Sequence, residues 1–161
     1  MRKLAILILG LLISACGFHL RGQATLPFET LYVNASDDSS FATELKRALL
    51  AGTNARLSDN PKDAEAIFQL VSETREKQIL SVNTGGTVAE YELRMQVSFR
   101  LYDNKGQNWI VPTEITLKRD VSYSDTDVLA KDYEEAQLYK DMQSDAVQQV
   151  MQRLSGAKAP I

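Results

Sequence analysis

The sequence predicts an α/β (α+β) two-layer sandwich. A four-stranded, mostly antiparallel sheet carries two helices on one face, in the order β-α-β-β-β-α. Three patterns predict it. Tyr91, Leu93, Met95, Val97, Phe99 and Leu101 are apolar at every second position, with Glu92, Arg94, Gln96, Ser98 and Arg100 between them. That period belongs to a strand with one buried face. Leu138, Met142, Ala146, Val147, Val150, Met151 and Leu154 recur three or four apart, the period of a helix with one buried stripe. Turn residues at Asn83–Gly86 and Asp103–Gly106 separate three consecutive strands, which reads as an antiparallel meander.

The first strand is Thr30 to Asn34 (TLYVN), a short β-type run. Asp37, Asp38, Ser39 and Ser40 then supply N-cap candidates and first-turn acids for a helix. Phe41, Leu45, Ala48 and Leu49 form its apolar stripe, and Gly52 ends it. Asn54 to Glu65 reads as a polar loop containing Asn60-Pro61. Ala66 to Ser72 (AIFQLVS) is the next strand. The charged stretch Glu73 to Lys77 leads from it into Ile79 to Val82, so this arm is long or bent. Ile110 to Tyr123 is the last strand, with Ile115, Leu117, Val121 and Tyr123 on one face. Pro112 marks it as an edge or a strand start, because proline donates nothing to a ladder. The final helix opens at Asp132, with Glu135 three residues on in the spacing of a capping box. About 22 residues would span roughly 33 Å, and Gly156 lies just past the end.

The N-terminus follows a different logic. Arg2 and Lys3 precede the apolar run Leu4 to Ile13, then small Ser14 and Ala15, then Cys16. This is the layout of a secretory signal peptide, and the run is shorter than the roughly 20 residues a membrane span needs. The Ile13-Ser14-Ala15-Cys16 string resembles the bacterial lipobox. That resemblance implies diacylglycerol on the Cys16 thiol, cleavage before Cys16 and acylation of the freed amine. The alternative is a plain secretory signal with a chance cysteine at its end. Gly17, where a sorting Asp would stand, implies export to the outer membrane. The expected organisation is therefore 1–15 as a cleaved signal peptide, 16–28 as a lipidated tether, 29–156 as one domain and 157–161 as a short tail.

Composition excludes several classes. The chain has 161 residues with 18 basic, 21 acidic, one His and one Cys. One Cys excludes an intramolecular disulfide framework, and one His argues against a His-built metal site. Losing Arg2 and Lys3 with the leader lowers the basic count to 16 and the net charge from −3 to −5. No basic footprint for nucleic acid remains. There is no GxSxG, P-loop or Rossmann fingerprint, and His19 sits on the tether, where no rigid scaffold can aim it. Asp37-Asp38 and Glu134-Glu135 read as helix-start acids. No enzyme and no cofactor beyond the Cys16 lipid are expected. The aromatics Tyr91, Phe99, Trp109, Tyr123, Tyr133 and Tyr139 read as packing, with a ligand groove as the alternative. Arg94, Arg100, Lys118, Arg119 and Lys131 read as a solvated face, with an anionic partner as the alternative. Arg94 and Arg100 share one strand face, and a neighbouring strand would have to add cations to make a cluster.

Cys16-Gly17-Phe18-His19-Leu20-Arg21 resembles the start of mature proteins of the LptE family, the lipopolysaccharide-assembly lipoproteins. Thr87-Val88-Ala89-Glu90-Tyr91 is similar to that family's segment opening a central strand. Leu129-Ala130-Lys131-Asp132 is similar to the segment entering the last helix. The resemblance covers the mature chain. It implies a one-to-one complex inside the lumen of the outer-membrane β-barrel LptD, support of that barrel's assembly, and binding of lipopolysaccharide during its delivery to the outer leaflet. Lipopolysaccharide is anionic at lipid A and the inner core, so cations should meet it. Lys131 falls on a basic position implicated in that binding. The family's second basic position lies in the turn that is Asn83-Thr84-Gly85-Gly86 here, without a cation; Arg94, further along the strand, is its substitute. The competing readings are a stand-alone outer-membrane lipoprotein with a small-ligand or inhibitor pocket, and a periplasmic hydrolase using paired carboxylates.

Overall fold

The computed structural model describes residues 24–124 and 126–159. The expected leader, Cys16 and His19 lie outside them. The elements are β1 (Thr30–Asn34), α1 (Ser40–Gly52), β2 (Arg56–Leu57), a 3-10 turn at Pro61–Asp63, β3 (Ala66–Val82), β4 (Val88–Asp103), β5 (Asn108–Ser122) and α2 (Val128–Ser155). They form one mixed sheet in the order β2-β1-β3-β4-β5. β1 runs parallel to β2 and β3, and the long β3-β4-β5 meander is antiparallel. Parallel β1 and β3 need a crossover, and α1 provides it.

The sheet therefore has five strands rather than four. The extra one is the two-residue β2, pairing Thr30 with Arg56 and Leu31 with Leu57. Two residues cannot show a period, so the loop at 54–65 hid it. β3 is the second difference. It runs unbroken for 17 residues through the charged stretch Glu73–Lys77, with register shifts around Val71 and Leu80 that absorb the expected bend. The third difference is α2, which begins at Val128, four residues before Asp132. Its N-cap is Asp127, whose side chain makes no cap bond, so the Asp132-Glu135 capping box is not used.

Two other expectations hold, although Asp37 and Asp38 precede the cap of α1 and leave its first turn without an acid. Ser39 caps α1, its Oγ accepting from Ala42 N–H at 3.0 Å. β5 is an edge strand, and Pro112 sits where Phe99 faces Thr113 but Leu101 faces Ile110. The extra residue there frees the proline from the ladder.

One core joins both layers. Leu93, Met95, Val97, Phe99 and Leu101 of β4 meet Phe41, Leu45 and Leu49 of α1 and Met142, Val147, Val150 and Leu154 of α2. Leu26 and Phe28, at the end of the expected tether, are buried in it as well. Phe68 stacks on Phe99 with centroids 5.4 Å apart. One buried polar group ties the layers: Gln143 of α2 accepts from Ser40 Oγ at 2.8 Å and Arg75 Nη2 at 2.6 Å, and donates to Glu44 Oε2 at 2.5 Å. A buried amide needs such partners, and these three fix α1, β3 and α2 together.

Beyond Gln69, β3 has no β1 neighbour, because β1 ends with Asn34 opposite Gln69. The molecule continues as a narrower arm: the far halves of β3, β4 and β5 under the first half of α2. Water reaches both faces of β3 there, which is why its sequence turns charged. Lys77 pairs with Glu135 of α2 at 2.5 Å and lies 4.3 Å from the Tyr91 ring centre. Tyr139 Oη donates to the Glu76 carbonyl at 2.6 Å, closing part of the open edge.

The hydrogen bond to Glu135 raises the Lys77 pKa, and burial raises that of Tyr139. Both groups hold their protons more tightly folded than unfolded. The stability they contribute is complete at neutral pH and is lost as pH rises through the folded values, above about pH 10. Urea midpoints should fall more steeply above pH 10 in the parent than in a Lys77→Met, Tyr139→Phe double variant. Equal slopes would remove this arm from the alkaline transition.

Candidate functional site

Alternation on β4 turns Leu93, Met95 and Val97 to the helices and Glu92, Arg94, Gln96, Ser98 and Arg100 to the uncovered face. Register then chooses their neighbours. Arg94 stands opposite Glu76 of β3 and Lys118 of β5. Like charges directly across a ladder repel, and Glu92 offsets this by bridging both. Arg94 Nη2 donates to Glu92 Oε1 at 2.8 Å, and Lys118 Nζ donates to Glu92 Oε2 at 3.0 Å. The bond from Arg94 first, and that from Lys118 next, hold the Glu92 carboxyl below its ordinary range. Arg94 Nε is buried and has no hydrogen-bond partner among the described residues. The strand beside Arg94 thus does add a cation, Lys118, though both share one carboxylate.

Arg100 lies on the same face six residues away, about 20 Å along the strand. It is engaged elsewhere, with Nε donating to Gln69 Oε1 at 2.7 Å and its guanidinium 4.5 Å from the Tyr102 ring centre. Arg119 turns to the helix side and pairs with Asp145 at 2.7 Å.

Lys131 sits in the first turn of α2. Its Nζ donates to Ser122 Oγ at 3.0 Å and Glu134 Oε2 at 2.8 Å. Ser122 is four residues beyond Lys118, about 13 Å along β5. Lys131 and Arg94 therefore occupy the same arm without forming one cluster. The turn that closes the β3–β4 hairpin is self-contained: Asn83 Oδ1 accepts from Gly85 N–H at 2.9 Å and Thr87 N–H at 3.2 Å. Glu134 and Glu135 serve Lys131 and Lys77 as partners. The aromatics pack in pairs, Tyr91 on Tyr123 at 5.3 Å and Trp109 on Phe28 at 5.7 Å. Tyr139 lies instead against the Arg75 guanidinium, 5.7 Å from its ring centre, and Tyr133 stands 75% exposed. The apolar groove between α1 and α2, lined by Ala24, Ala48, Gly52, Val147 and Met151, holds about 290 Å³.

The family model described as LptE, lipopolysaccharide-assembly, matches residues 28–154. The chain belongs to the LptE family. Among relatives of that family, the LPS-assembly lipoprotein LptE of Pectobacterium atrosepticum is 27% identical, with 94% of this chain and 85% of the relative covered. The protein of the same name from Yersinia enterocolitica is 28% identical, with 94% and 75% covered. Among solved structures, lipoprotein B from Nitrosomonas europaea is 41% identical with a TM-score of 0.76, covering 86% of this chain and 90% of that one. The rare lipoprotein B from Shewanella oneidensis is 26% identical with a TM-score of 0.70, covering 80% and 95%. These neighbours share the two-layer fold, and the relatives are named as LPS-assembly lipoproteins.

Proposed function

We propose that the protein is an outer-membrane lipoprotein, anchored through Cys16, that occupies the lumen of the LptD barrel in a one-to-one complex. In this reading the folded domain at 29–156 assists assembly of the barrel and plugs it. It binds lipopolysaccharide on its way to the outer leaflet, with Lys131 and Arg94 meeting the anionic groups. No catalysis is involved. The observation that carries the reading is the family match over residues 28–154. The uncovered sheet face supports it, because it is hydrogen-bonded and polar from Thr74 to Gln78, Glu92 to Ser98 and Glu114 to Ser122. A polar barrel lumen asks for such a surface.

Native purification tests the reading. Acylated protein should be recovered with a large barrel at equal stoichiometry, and recovery only as a free monomer overturns it. The ligand site has its own test. Lys131→Asp puts a carboxylate beside Glu134 and is expected to weaken lipopolysaccharide binding by roughly tenfold at low salt, leaving the barrel complex intact. Binding equal to the parent at moderate salt removes Lys131 from the site.

A further inference from the structure

The apolar groove between α1 and α2 begins where the described residues begin. Ala24 lines it, with Ala48 and Gly52 of α1 and Val147, Gln148 and Met151 of α2. Ala24 also pairs with Thr53 in a parallel bridge, its N–H donating to the Gly52 carbonyl at 2.7 Å. A parallel bridge sends the chain upstream of Ala24 toward the last turn of α1, along the groove's own wall. Residues 16–23 lie outside the described residues, so the groove borders the segment that joins the domain to Cys16.

Two observations choose the occupant. The first is parity. Burial alternates after Ala24: Leu26 and Phe28 are 4% and 2% exposed, whereas Thr25, Pro27 and Glu29 stand open. That period belongs to an extended chain with one face against the protein. Carried upstream, it puts Gly22, Leu20 and Phe18 on the buried side and Gln23, Arg21 and His19 on the open side. The two large apolar residues of the segment thus share the parity of the core residues that follow. The second observation is size and reach. The groove holds about 290 Å³. That is the bottom of the roughly 300–1,000 Å³ range of small-molecule sites, and it suits side chains better. Leu20 stands four residues before Ala24, about 13 Å of extended chain, and α2 rises only about 6 Å from Val147 to Met151. Both helices also end beside the groove, at Gly52 and Ser155, and helix C-termini favour a cation such as Arg21.

We propose that the segment 17–23 docks along the α1–α2 groove, with Leu20 seated among Ala48, Gly52 and Met151 and Phe18 beyond it. The link between lipid and domain then shortens from eight residues, about 26 Å, to four, about 13 Å. The groove end of the domain is held close to the leaflet. This consequence rests on the proposed anchor at Cys16; the docking itself does not.

Trypsin measures the docking, because the Arg21–Gly22 bond lies between Leu20 and Ala24. Cleavage of a bond held in this way follows the fraction of molecules in which it is released. In the full-length acylated protein, cleavage after Arg21 should be at least about tenfold slower than after Lys158, which stands open on the tail. Leu20→Ser removes the seated side chain and should speed cleavage after Arg21 about tenfold. Ala48→Glu puts a charge in the seat and should do the same, and neither should alter cleavage after Lys158. The double variant should be cut no faster than either single one, since both remove one contact. Gln148→Trp, at an exposed position on the groove wall, fills the seat without entering the core. It should match Ala48→Glu, and it decides the matter if the charge lowers the thermal midpoint. Parent cleavage after Arg21 as fast as after Lys158 overturns the docking, and so do effects of Leu20→Ser and Ala48→Glu that multiply. Protection that grows with protein concentration assigns the groove to a second copy and overturns it as well. Unchanged cleavage in Ala48→Glu with reduced recovery of the barrel assigns the groove to the barrel and does the same. The rates decide the docking whether or not the released peptide 16–21 carries acyl mass, so failure of the anchor and failure of the docking are told apart.

Discussion

Replacing Phe99 by Ala is expected to cost about 3–5 kcal/mol of stability, among the largest effects of any single truncation in this domain. Phe99 is 0% exposed on β4, the strand flanked along its length by β3 and β5. Its ring stacks on Phe68, and the Arg153 guanidinium lies 6.0 Å from its centre. Hydrogen bonds on both sides hold the backbone, so the sheet cannot sag into the space left behind, and α2 is fixed to α1 through Gln143. A cavity that cannot collapse costs both the lost transfer energy and the lost contacts. Domains of this size are stable by only about 5–15 kcal/mol, so the variant should lose a large share of its urea midpoint. Val71→Ala, at a residue 55% exposed, should change stability by no more than about 0.5 kcal/mol. A loss below about 1.5 kcal/mol at Phe99 would mean that the layers close over the gap.

The elements legible in the sequence are those whose environment is uniform along their length. Residues 91–101 have one face against the helices throughout, so period two shows without interruption. The second half of α2 lies against sheet and α1 together, and its stripe reads as clearly. The elements missed are those whose surroundings change midway. β3 leaves the cover of β1 after Gln69, and its residues become charged because both faces then meet water. Sequence alone reads that change as the end of a strand. The first two turns of α2 carry Leu129 and Tyr133 outward, which breaks the polar-outside pattern that would have marked its start.

The candidate site was legible by face and not by neighbour. Arg94 and Arg100 share a face by parity, and Lys118 has the right parity on β5. Yet the turn between Asp103 and Gln107 sets Tyr102 opposite Asn108, and an undisturbed ladder from there would bring Arg94 opposite Thr116. Two one-residue irregularities near Pro112 shift the strand by two places and bring in Lys118 instead. A shift of two preserves the face, so nothing in the alternation reveals it. The carboxylate of Glu92 then takes up both cations, a neutralisation visible only once the register is known.

Exchanging Cys16 for Ser behind a conventional cleavable secretory leader is expected to change where the protein resides more than any surface substitution could. A single acyl chain holds a protein to a bilayer only marginally, at about 0.8 kcal/mol per buried methylene, whereas two or three chains anchor it in effect permanently. Cleaved before Cys16 as proposed, the chain would keep 16 basic against 21 acidic residues, so no general electrostatic attraction to an anionic leaflet would replace the lipid. No helix among the described residues is long and apolar enough to cross a membrane. Two means of retention then remain separable, the lipid and the barrel. Made in excess over the barrel, the parent should sediment entirely with the outer membrane. The Ser variant should divide, the fraction matched by barrel sedimenting and the surplus appearing as soluble periplasmic protein. Its apparent affinity for the barrel should also fall, because an anchored partner searches a surface and a free one searches a volume. Complete sedimentation of the surplus Ser variant would show that the folded domain grips the membrane itself. The lipid would then be dispensable for location.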